Sequence, residues 1–440
     1  MLEKFFSLKS NHTNIRTEIL AGITTFVAAM YIIIVNPAMV SDTGMPFSAV
    51  LTGTVVLSAF CTIMMGIYAK NPILIAPSMG LNAFFTYFVV AGMKVPVEIA
   101  LGALFWAGVL FFILSVFNIR SKIVEAIPKP IRYAIAGGIG LFIALLGFVN
   151  AGFIIVKPPF IGLGPMNVVT LIFAGGILLI AVLMVKKVKG AMMIGIIAIT
   201  LFCIPVGRWL GDVSAVNHGI PALVSWKGFY QAPDFSFFLK LDLLNSLKLA
   251  VWPVIFAVCF TDMFDSLSTF VGVAEAAGLK DKNGEPRNIK QSLIVDAVAT
   301  GLAGMLGTTS GTAYIESASG VAQGGRTGLT AVVAGLLFIP FMFFSPLLSM
   351  VPSVATAPVL VIVGVFMMKP VMNINWDEMD DAIPCFLAMI LIPLTYSITQ
   401  GIIWGLLSWT LIKLITGKYG EISITLVIID VFSILLLIFE

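Results

Sequence analysis

Residues 307–320 read GTTSGTAYIESASG, a polar, glycine-rich segment with long apolar runs on either side. A related segment, APSMGLNAFF, occupies residues 76–85. Glycine, proline and threonine at this density disfavour a continuous helix. We therefore predict that each segment begins as an extended piece and continues as a half-helix.

The composition places both segments in a membrane protein. Of 440 residues, 59% are hydrophobic and 11% are charged, whereas a soluble globular chain carries about 25% charged residues. The 25 basic and 22 acidic residues are too few to cover soluble domains of this total length. A soluble enzyme and a disordered scaffold are excluded, and an all-α polytopic membrane protein is predicted.

Fourteen apolar runs fit transmembrane spans, since a helix needs about 20 apolar residues to cross a bilayer and fewer where it is broken inside protein. The predicted spans are residues 18–40, 48–67, 72–92, 96–117, 129–150, 167–185, 190–211, 246–275, 289–306, 309–324, 327–347, 353–370, 382–398 and 401–416. The apolar residues 421–440 contain Asp430 and are compatible with lying on the membrane surface, packing against the bundle or crossing.

The basic residues orient these spans. With a cytoplasmic N-terminus, 19 of the 25 Lys and Arg residues fall on the cytoplasmic side, as the positive-inside rule requires. We expect a multi-pass protein of the cell (plasma or inner) membrane. A net charge of only +3 and scattered basic residues argue against a nucleic-acid partner.

The spans divide into two halves of seven, so the second half enters the membrane upside down, as in secondary transporters. The predicted divisions are a cytoplasmic N-terminus (1–17), a first repeat (18–211), an extracellular or periplasmic loop (212–245), a second repeat (246–416) and an apolar C-terminal segment (417–440). Gly44 and Gly278 are 234 residues apart, and so are Asn82 and Glu316. This echo supports two inverted repeats.

Broken segments at matching positions of two repeats predict a binding site. Close helix packing through small residues is the alternative, but it does not explain the carboxylate of Glu316. A charge in the bilayer core costs at least about 2.5–3.5 kcal/mol on insertion scales, so Glu316 should face the interior and have a partner. A carboxylate that merely caps the half-helix is a second alternative.

Span eight carries two further acids. Asp262 and Asp265 lie three residues apart and share a helical face, which Ser266 and Thr269 extend. No basic residue follows within a turn, and two nearby acids disfavour each other's ionisation. Proton binding or ligand binding is therefore expected, with a structural network as the alternative.

Other polar and aromatic residues are weaker candidates. Asp296 in span nine fits hydrogen-bonded support and a proton relay equally well. Glu18 opens span one, where an acid complements a helix N-terminus, and we assign it no function. Phe84, Phe85 and Tyr314 fit packing, but beside Asn82 and Glu316 aromatic rings can also stack on a planar ligand.

No cofactor or metal site is expected. All four cysteines lie inside apolar runs as core-type residues, and neither histidine lies in a span. The Gly-x-x-Gly-x-x-Gly pattern at residues 301, 304 and 307 is not a dinucleotide fingerprint.

Three segments in register resemble one family. They are residues 76–85, the stretch Thr261-Asp262-Met263-Phe264-Asp265-Ser266, and Tyr314 to Ala322 continuing through Gly324 to Thr330. Together with the N-terminal RTEILAGITTF at 16–26 and VNPA at 35–38, they resemble the hypoxanthine–adenine–guanine permeases. These form the AzgA-like branch of the second nucleobase–cation symporter family, within the xanthine/uracil permease superfamily.

The resemblance implies fourteen segments in two inverted repeats, with spans 1–4 and 8–11 as a core and spans 5–7 and 12–14 as a gate. Asn82, Asp262 and Glu316 match positions that contact the purine, and Asp265 matches one needed for transport. The substrate-binding candidates are Asn82, Asp262, Glu316, Phe84, Phe85 and Ser317, and those for proton coupling are Asp265, Asp262 and Asp296.

The expected function is import of purine bases (hypoxanthine, guanine, adenine) by proton symport with alternating access. Expected partners are the purine, a coupling cation that we take to be H⁺, and the lipid bilayer. A homodimer, Na⁺ coupling and the preferred purine stay open. Uracil, xanthine or an anion are rival substrates, but acids in the site disfavour an anion. An intramembrane enzyme would need a histidine-paired nucleophile or a metal, and a channel would not need matched broken helices.

Overall fold

The computed structural model describes residues 2–117, 127–157, 160–209, 223–279 and 286–439. In these residues the chain is mostly helical. The predicted loop 212–245 lies partly outside them, because residues 212–222 are not described.

Among its described residues, the first half contains nine α-helices and three short strands. In chain order they are α1 (Leu2–Phe5), α2 (Ile15–Ala29), α3 (Ile32–Val40), α4 (Phe47–Met64), β1 (Ile75–Pro77), α5 (Met79–Ala83), α6 (Val97–Val116), α7 (Lys129–Asn150), β2 (Ile154–Lys157), β3 (Phe160–Leu163), α8 (Val168–Val185) and α9 (Ala191–Trp209). Two π-helical pieces, Met65–Ala69 and Phe84–Gly92, extend α4 and α5.

The second half contains the remaining described α-helices and one strand. They are α10 (Trp252–Ala277), α11 (Ile289–Leu306), β4 (Gly311–Ala313), α12 (Ser317–Ala322), α13 (Gly328–Phe338), α14 (Ser345–Leu348), α15 (Ser353–Met367), α16 (Met379–Thr395), α17 (Ile398–Ile415) and α18 (Ile424–Phe439).

The helices are long and apolar enough for a membrane protein. Within the described residues, eight could cross a bilayer by length and composition: Ile15–Thr43, Phe47–Ala69, Val97–Val116, Lys129–Asn150, Val168–Val185, Ile289–Leu306, Ser353–Asn373 and Ile398–Ile415. Shorter apolar helices include Met79–Gly92 and Gly328–Phe343, and these follow or adjoin the two broken segments.

The broken segments have the predicted form. Strand β1 precedes the short helix α5, and β4 precedes the short helix α12. The two strands pair antiparallel, with Ala76 opposite Thr312. The amide of Ser78 donates to the carbonyl oxygen of Ser310 at 2.8 Å, and the amide of Tyr314 donates to the carbonyl oxygen of Leu74 at 2.9 Å. Extended backbone inside a bilayer has no water to bond. Each segment therefore supplies hydrogen-bond partners for backbone groups of the other.

The two glycines of the sequence echo occupy equivalent conformations. Gly44 ends a 3-10 turn with φ +92°, and Gly278 follows α10 with φ +65°. Both values lie in the left-handed region, where glycine terminates a helix without a Cβ clash.

The glycines at 301, 304 and 307 serve helix packing and helix termination. A Cβ on Gly108 of α6 would lie 2.2 Å from the amide nitrogen of Gly301 on α11. A Cβ on Gly304 would lie 2.4 Å from the carbonyl oxygen of Leu101. Gly307 ends α11 with φ +68°. The α6–α11 contact therefore depends on the absence of side chains.

The C-terminal helix α18 packs against the bundle. The hydroxyl of Thr410 on α17 donates to Asp430 Oδ2 at 2.6 Å, and both Asp430 and Leu426 are buried. The segment therefore contacts the bundle, and its position relative to the membrane stays open.

A buried lysine joins α16 and α17. Lys413 is 1% exposed and lies 2.7 Å from Asp380, 2.9 Å from Asp381 and 2.9 Å from Glu421. Lys418 lies 2.6 Å from Asp380, and this hydrogen bond raises the pKa of Lys418. Because a buried charge needs partners, three carboxylates around Lys413 fix these helices and the start of α18.

The cysteines are core residues, as expected. All four are buried with free thiols: Cys61, Cys203, Cys259 and Cys385.

Candidate functional site

The strand pair β1–β4 brings the two broken segments into one place. Asn82 lies on α5, directly after β1, and Glu316 lies directly before α12, three residues after β4. Because the strands are antiparallel, the two segments leave the pair at opposite ends. Asn82 and Glu316 therefore follow the strand pair at its two opposite ends.

The Glu316 carboxylate is hydrogen-bonded by Tyr31, which lies between α2 and α3, and does not cap its own helix. Glu316 occupies the N-cap position of α12, but its side chain makes no capping hydrogen bond. Its Oε1 accepts a hydrogen bond from the hydroxyl of Tyr31 at 2.8 Å, and the residue is half-buried. The idea that Glu316 merely caps a half-helix is thus not supported.

Asn82 belongs to a buried network of amides and hydroxyls. It is 0% exposed, and its Oδ1 accepts a hydrogen bond from the hydroxyl of Thr309. That hydroxyl also lies 3.0 Å from Oδ1 of Asn36. The amide nitrogen of Asn36 donates to Thr54 at 2.7 Å and to Thr308 at 3.0 Å. Asn36 on α3 therefore fixes the polar segment that faces Asn82.

Asp262 is enclosed in the protein. It is 0% exposed, and its Oδ2 accepts hydrogen bonds from the hydroxyl of Thr300 and, at 3.2 Å, from that of Ser310. Ser310 lies just before β4, so this aspartate on α10 contacts one end of the strand pair.

Asp265 contacts the strand pair from the same helix but is half-buried. Its Oδ2 accepts hydrogen bonds from the hydroxyls of Ser78 at 2.9 Å and Thr312 at 3.4 Å. Ser78 follows β1 and Thr312 lies in β4, so Asp265 bridges both broken segments.

Asp296 supports the helix that carries the two aspartates. It is 0% exposed, and its Oδ1 accepts a hydrogen bond from the hydroxyl of Ser266 at 2.6 Å. The oxygen of Ser266 in turn accepts the amide hydrogen of Ala313 in β4 at 3.4 Å. The structure therefore gives Asp296 a supporting contact, and its role as a relay stays a prediction.

The aromatic candidates and Ser317 occupy packed positions. Phe84 and Phe85 are 1% and 2% exposed, and Phe84 stacks on Phe88 with 5.1 Å between ring centroids. Ser317 is 0% exposed, and its hydroxyl oxygen accepts the amide hydrogen of Leu74 at 3.0 Å. One face of Phe84 is thus covered, and Ser317 supports the chain where it enters β1.

Tyr314 bonds back to the other broken segment. Its hydroxyl donates to the carbonyl oxygen of Pro77 at 2.5 Å, and the residue is 5% exposed. The tyrosine therefore adds a side-chain link to the β1–β4 pair.

Glu18 has a structural role that the sequence did not reveal. It is 0% exposed, and its carboxylate accepts the amide hydrogens of Arg326 at 2.9 Å, Thr327 at 3.3 Å and Thr330 at 3.2 Å. The hydroxyl of Thr330 adds a bond at 2.6 Å. Glu18 thus satisfies the free N-terminal amides of α13, a helix far away in sequence.

Close packing extends this link towards the site. A Cβ on Gly320 of α12 would lie 2.0 Å from the hydroxyl oxygen of Thr25 and 2.6 Å from the carbonyl oxygen of Ala21. Helix α2 therefore contacts both α12 and α13, on either side of the turn at residues 323–327.

The site offers acceptors and hydroxyls. Among the residues that the structure describes, no group of three or more His, Cys, Asp or Glu side chains is arranged to hold a metal ion. Carboxylate and amide oxygens can accept N–H hydrogen bonds, and a carboxylate can also bind a proton. The arrangement suits a polar ligand rich in N–H groups.

We predict that Glu18→Ala destabilises the folded protein. Each buried amide left without an acceptor costs about 1–3 kcal/mol. The amides of Arg326 and Thr327 donate to Glu18, whereas the amide of Thr330 donates both to Glu18 and to the carbonyl oxygen of Thr327 at 3.2 Å. The melting temperature of the detergent-solubilised Glu18→Ala protein should fall markedly. Glu18→Gln keeps one acceptor oxygen, so its melting temperature should fall less.

Glu98→Ala is the matched control, because Glu98 also lies in the first turn of a helix but is exposed. Equal melting temperatures for the Glu18 and Glu98 variants would contradict the capping role.

Sequence comparison identifies related proteins. A sequence model of the xanthine/uracil permeases, described as a permease family, matches residues 16–403. The adenine permease AdeP of Escherichia coli (strain K12) is 38% identical, covering 100% of this chain and 96% of that protein. The guanine/hypoxanthine permease PbuO of Bacillus subtilis (strain 168) is 40% identical, covering 95% and 96%.

Solved structures share the fold at low identity. The transmembrane domain of a cyanobacterium bicarbonate transporter, BicA, matches with a TM-score of 0.63 at 16% identity, covering 89% of this chain and 97% of that one. The structure of SLC26A9 matches with a TM-score of 0.63 at 10% identity, covering 92% and 68%. The chain therefore shares the fold of these two proteins.

Proposed function

The chain belongs to the xanthine/uracil permease family and is a transporter rather than an enzyme, and we propose that it imports purine nucleobases. The substrates are hypoxanthine, guanine or adenine. Support comes from relatives named adenine permease and guanine/hypoxanthine permease, which are 38% and 40% identical over almost the whole chain.

The observation that carries the proposal is the pairing of β1 with β4. It joins the segments of Asn82 and Glu316 and places Asp265 against both of them. A purine is planar, uncharged and bordered by N–H donors and ring-nitrogen acceptors. A carboxylate can accept paired N–H bonds, and an amide such as Asn82 can both donate and accept.

In this proposal Asn82, Asp262 and Glu316 bind the purine, with Phe84, Phe85 and Ser317 shaping the site. A site built this way rejects analogues that lack a donor, because its own buried acceptors would be left unpaired. Asp265 is half-buried and Asp262 is 0% exposed, so accessibility alone would favour Asp265 as the purine contact. The family resemblance favours Asp262, and mutation of each residue separates the two assignments.

The transport cycle we propose is alternating access by two inverted repeats of seven spans, with spans 1–4 and 8–11 as core and spans 5–7 and 12–14 as gate. The N-terminus is cytoplasmic and the membrane is the cell membrane. The left-handed glycines at 44 and 278 and the likeness to the BicA fold support this arrangement.

Uptake of radiolabelled hypoxanthine in a host lacking its own purine permeases tests the function. Unlabelled guanine and adenine should compete, and uracil and xanthine should not. Uptake that uracil or xanthine abolishes, while guanine and adenine do not compete, would replace the proposed substrate with the rival class.

We predict that Glu316→Gln weakens hypoxanthine binding. The change keeps the shape but replaces one acceptor oxygen with a donor. Losing a hydrogen bond to a charged group costs about 1.5–3 kcal/mol, or about ten- to a hundredfold in affinity. Binding to the purified protein measures it, with Glu98→Gln at an exposed position as the matched control. An unchanged affinity would show that Glu316 does not contact the purine.

The two aspartates of α10 should differ. Asp262→Asn should weaken equilibrium binding, whereas Asp265→Asn should leave binding largely intact and slow transport, because we assign the coupling proton to Asp265. Parallel binding and uptake measurements, with the exposed Asp377→Asn as control, separate these effects. Intact binding in Asp262→Asn together with lost binding in Asp265→Asn would reverse the assignment.

Coupling to H⁺ gives a pH signature. A carboxylate that must take up a proton outside before the core moves is loaded more often at low external pH. Uptake should therefore rise as external pH falls, collapse with a protonophore, and persist when choline replaces Na⁺. Uptake that survives the protonophore but stops without Na⁺ would overturn proton coupling and leave the purine site unaffected.

A further inference from the structure

Tyr31 is placed where span one is interrupted. Helix α2 ends at Ala29 and α3 begins at Ile32, so Tyr31 stands in the break between them. Its ring is 2% exposed, and its hydroxyl reaches Glu316 Oε1 at 2.8 Å. The break in the helix therefore places the Tyr31 hydroxyl against the carboxylate that we propose binds the purine.

Glu316 depends on this contact for its orientation. Its side chain makes no capping bond to α12, and in the part of the chain that the structure describes Tyr31 is the one side chain that donates to it. An ionised carboxylate offers about four acceptor positions on two oxygens. The bond from Tyr31 to Oε1 therefore restrains the group, and the carboxylate still has acceptor positions for a ligand.

The second tyrosine of the site cannot replace the first. The hydroxyl of Tyr314 is already donated to Pro77 at 2.5 Å, which commits it to the strand pair. Tyr31 is thus the tyrosine that orients the Glu316 carboxylate.

We propose that Tyr31 is a positioning residue of the purine site, which holds Oε1 of Glu316 so that Oε2 faces the N–H groups of the substrate. This inference rests on the proposed function and names a residue that acts through Glu316. A hydrogen bond from a hydroxyl to an ionised carboxylate is charge-assisted, and fixing the acceptor before binding removes an ordering cost from the binding step.

A double-mutant cycle tests the proposal. Dissociation constants for hypoxanthine are measured on purified protein in lipid nanodiscs for the wild type, Tyr31→Phe, Glu316→Gln and the double variant. Tyr31→Phe should weaken binding about tenfold in the wild-type background. In the Glu316→Gln background it should change affinity by less than about twofold, because the partner is already altered.

Tyr87→Phe is the matched control, since Tyr87 donates to Asp42 at the same 2.8 Å distance but outside the site. Its affinity for hypoxanthine should equal that of the wild type. Equal weakening by Tyr31→Phe in both backgrounds, or no weakening in either, would overturn the positioning role. A wild type that binds no nucleobase would instead refute the proposed function.

A label that keeps the hydroxyl provides a second test that does not depend on Tyr31→Phe folding. With 3-fluorotyrosine at residue 31, the fluorine resonance should shift when hypoxanthine saturates the site and stay fixed in Glu316→Gln. A resonance unchanged by saturating hypoxanthine in the otherwise wild-type protein would contradict the proposal.

Discussion

Extended backbone in the interior of a membrane protein needs hydrogen-bond partners, and here the partners are the two broken segments themselves. Strands β1 and β4 pair in register from Ile75–Ala313 to Pro77–Gly311, and flanking bonds at Ser78 and Tyr314 extend the pair. Without water to solvate free amides, neither segment could remain extended alone. Segments that lie far apart in the sequence are therefore obliged to meet.

The acids of the site follow from this pairing. Helix α10 lies against β4, so Asp262 reaches Ser310 while Asp265 reaches Thr312 and, just beyond β1, Ser78. These contacts are neutral hydroxyls, which position a carboxylate without cancelling its charge. A carboxylate bonded by hydroxyls can still accept N–H groups or a proton, and the proposed proton-coupled uptake of a nucleobase would use both properties.

Span one organises the site from outside the strand pair. Glu18 caps α13, Tyr31 holds Glu316, and Asn36 fixes the threonines that face Asn82. These three residues lie at the start, the break and the far end of one interrupted helix. A displacement of span one would therefore reach both sides of the strand pair together.

The sequence by itself determined the membrane class, the two broken segments and the acids near them, because these follow from composition, glycine and proline content and the cost of a charge in a bilayer. It also gave the 234-residue spacing of Gly44 and Gly278, and the structure adds that both have a left-handed backbone. It could not show which residues stand opposite the acids. Glu18 is visible as an acid in a first turn, yet the helix that it caps begins at Gly328, and no local pattern links the two.

Tyr31 shows the same limit. Its position within an apolar run fits ordinary packing, and nothing nearby in the sequence indicates a carboxylate partner. Only the tertiary structure brings its hydroxyl to Glu316, since that contact depends on how α2 and α3 pack beside α12. Local patterns encode backbone preference and burial, whereas long-range hydrogen bonds depend on the packing of distant elements, and that packing decided the partners in this site.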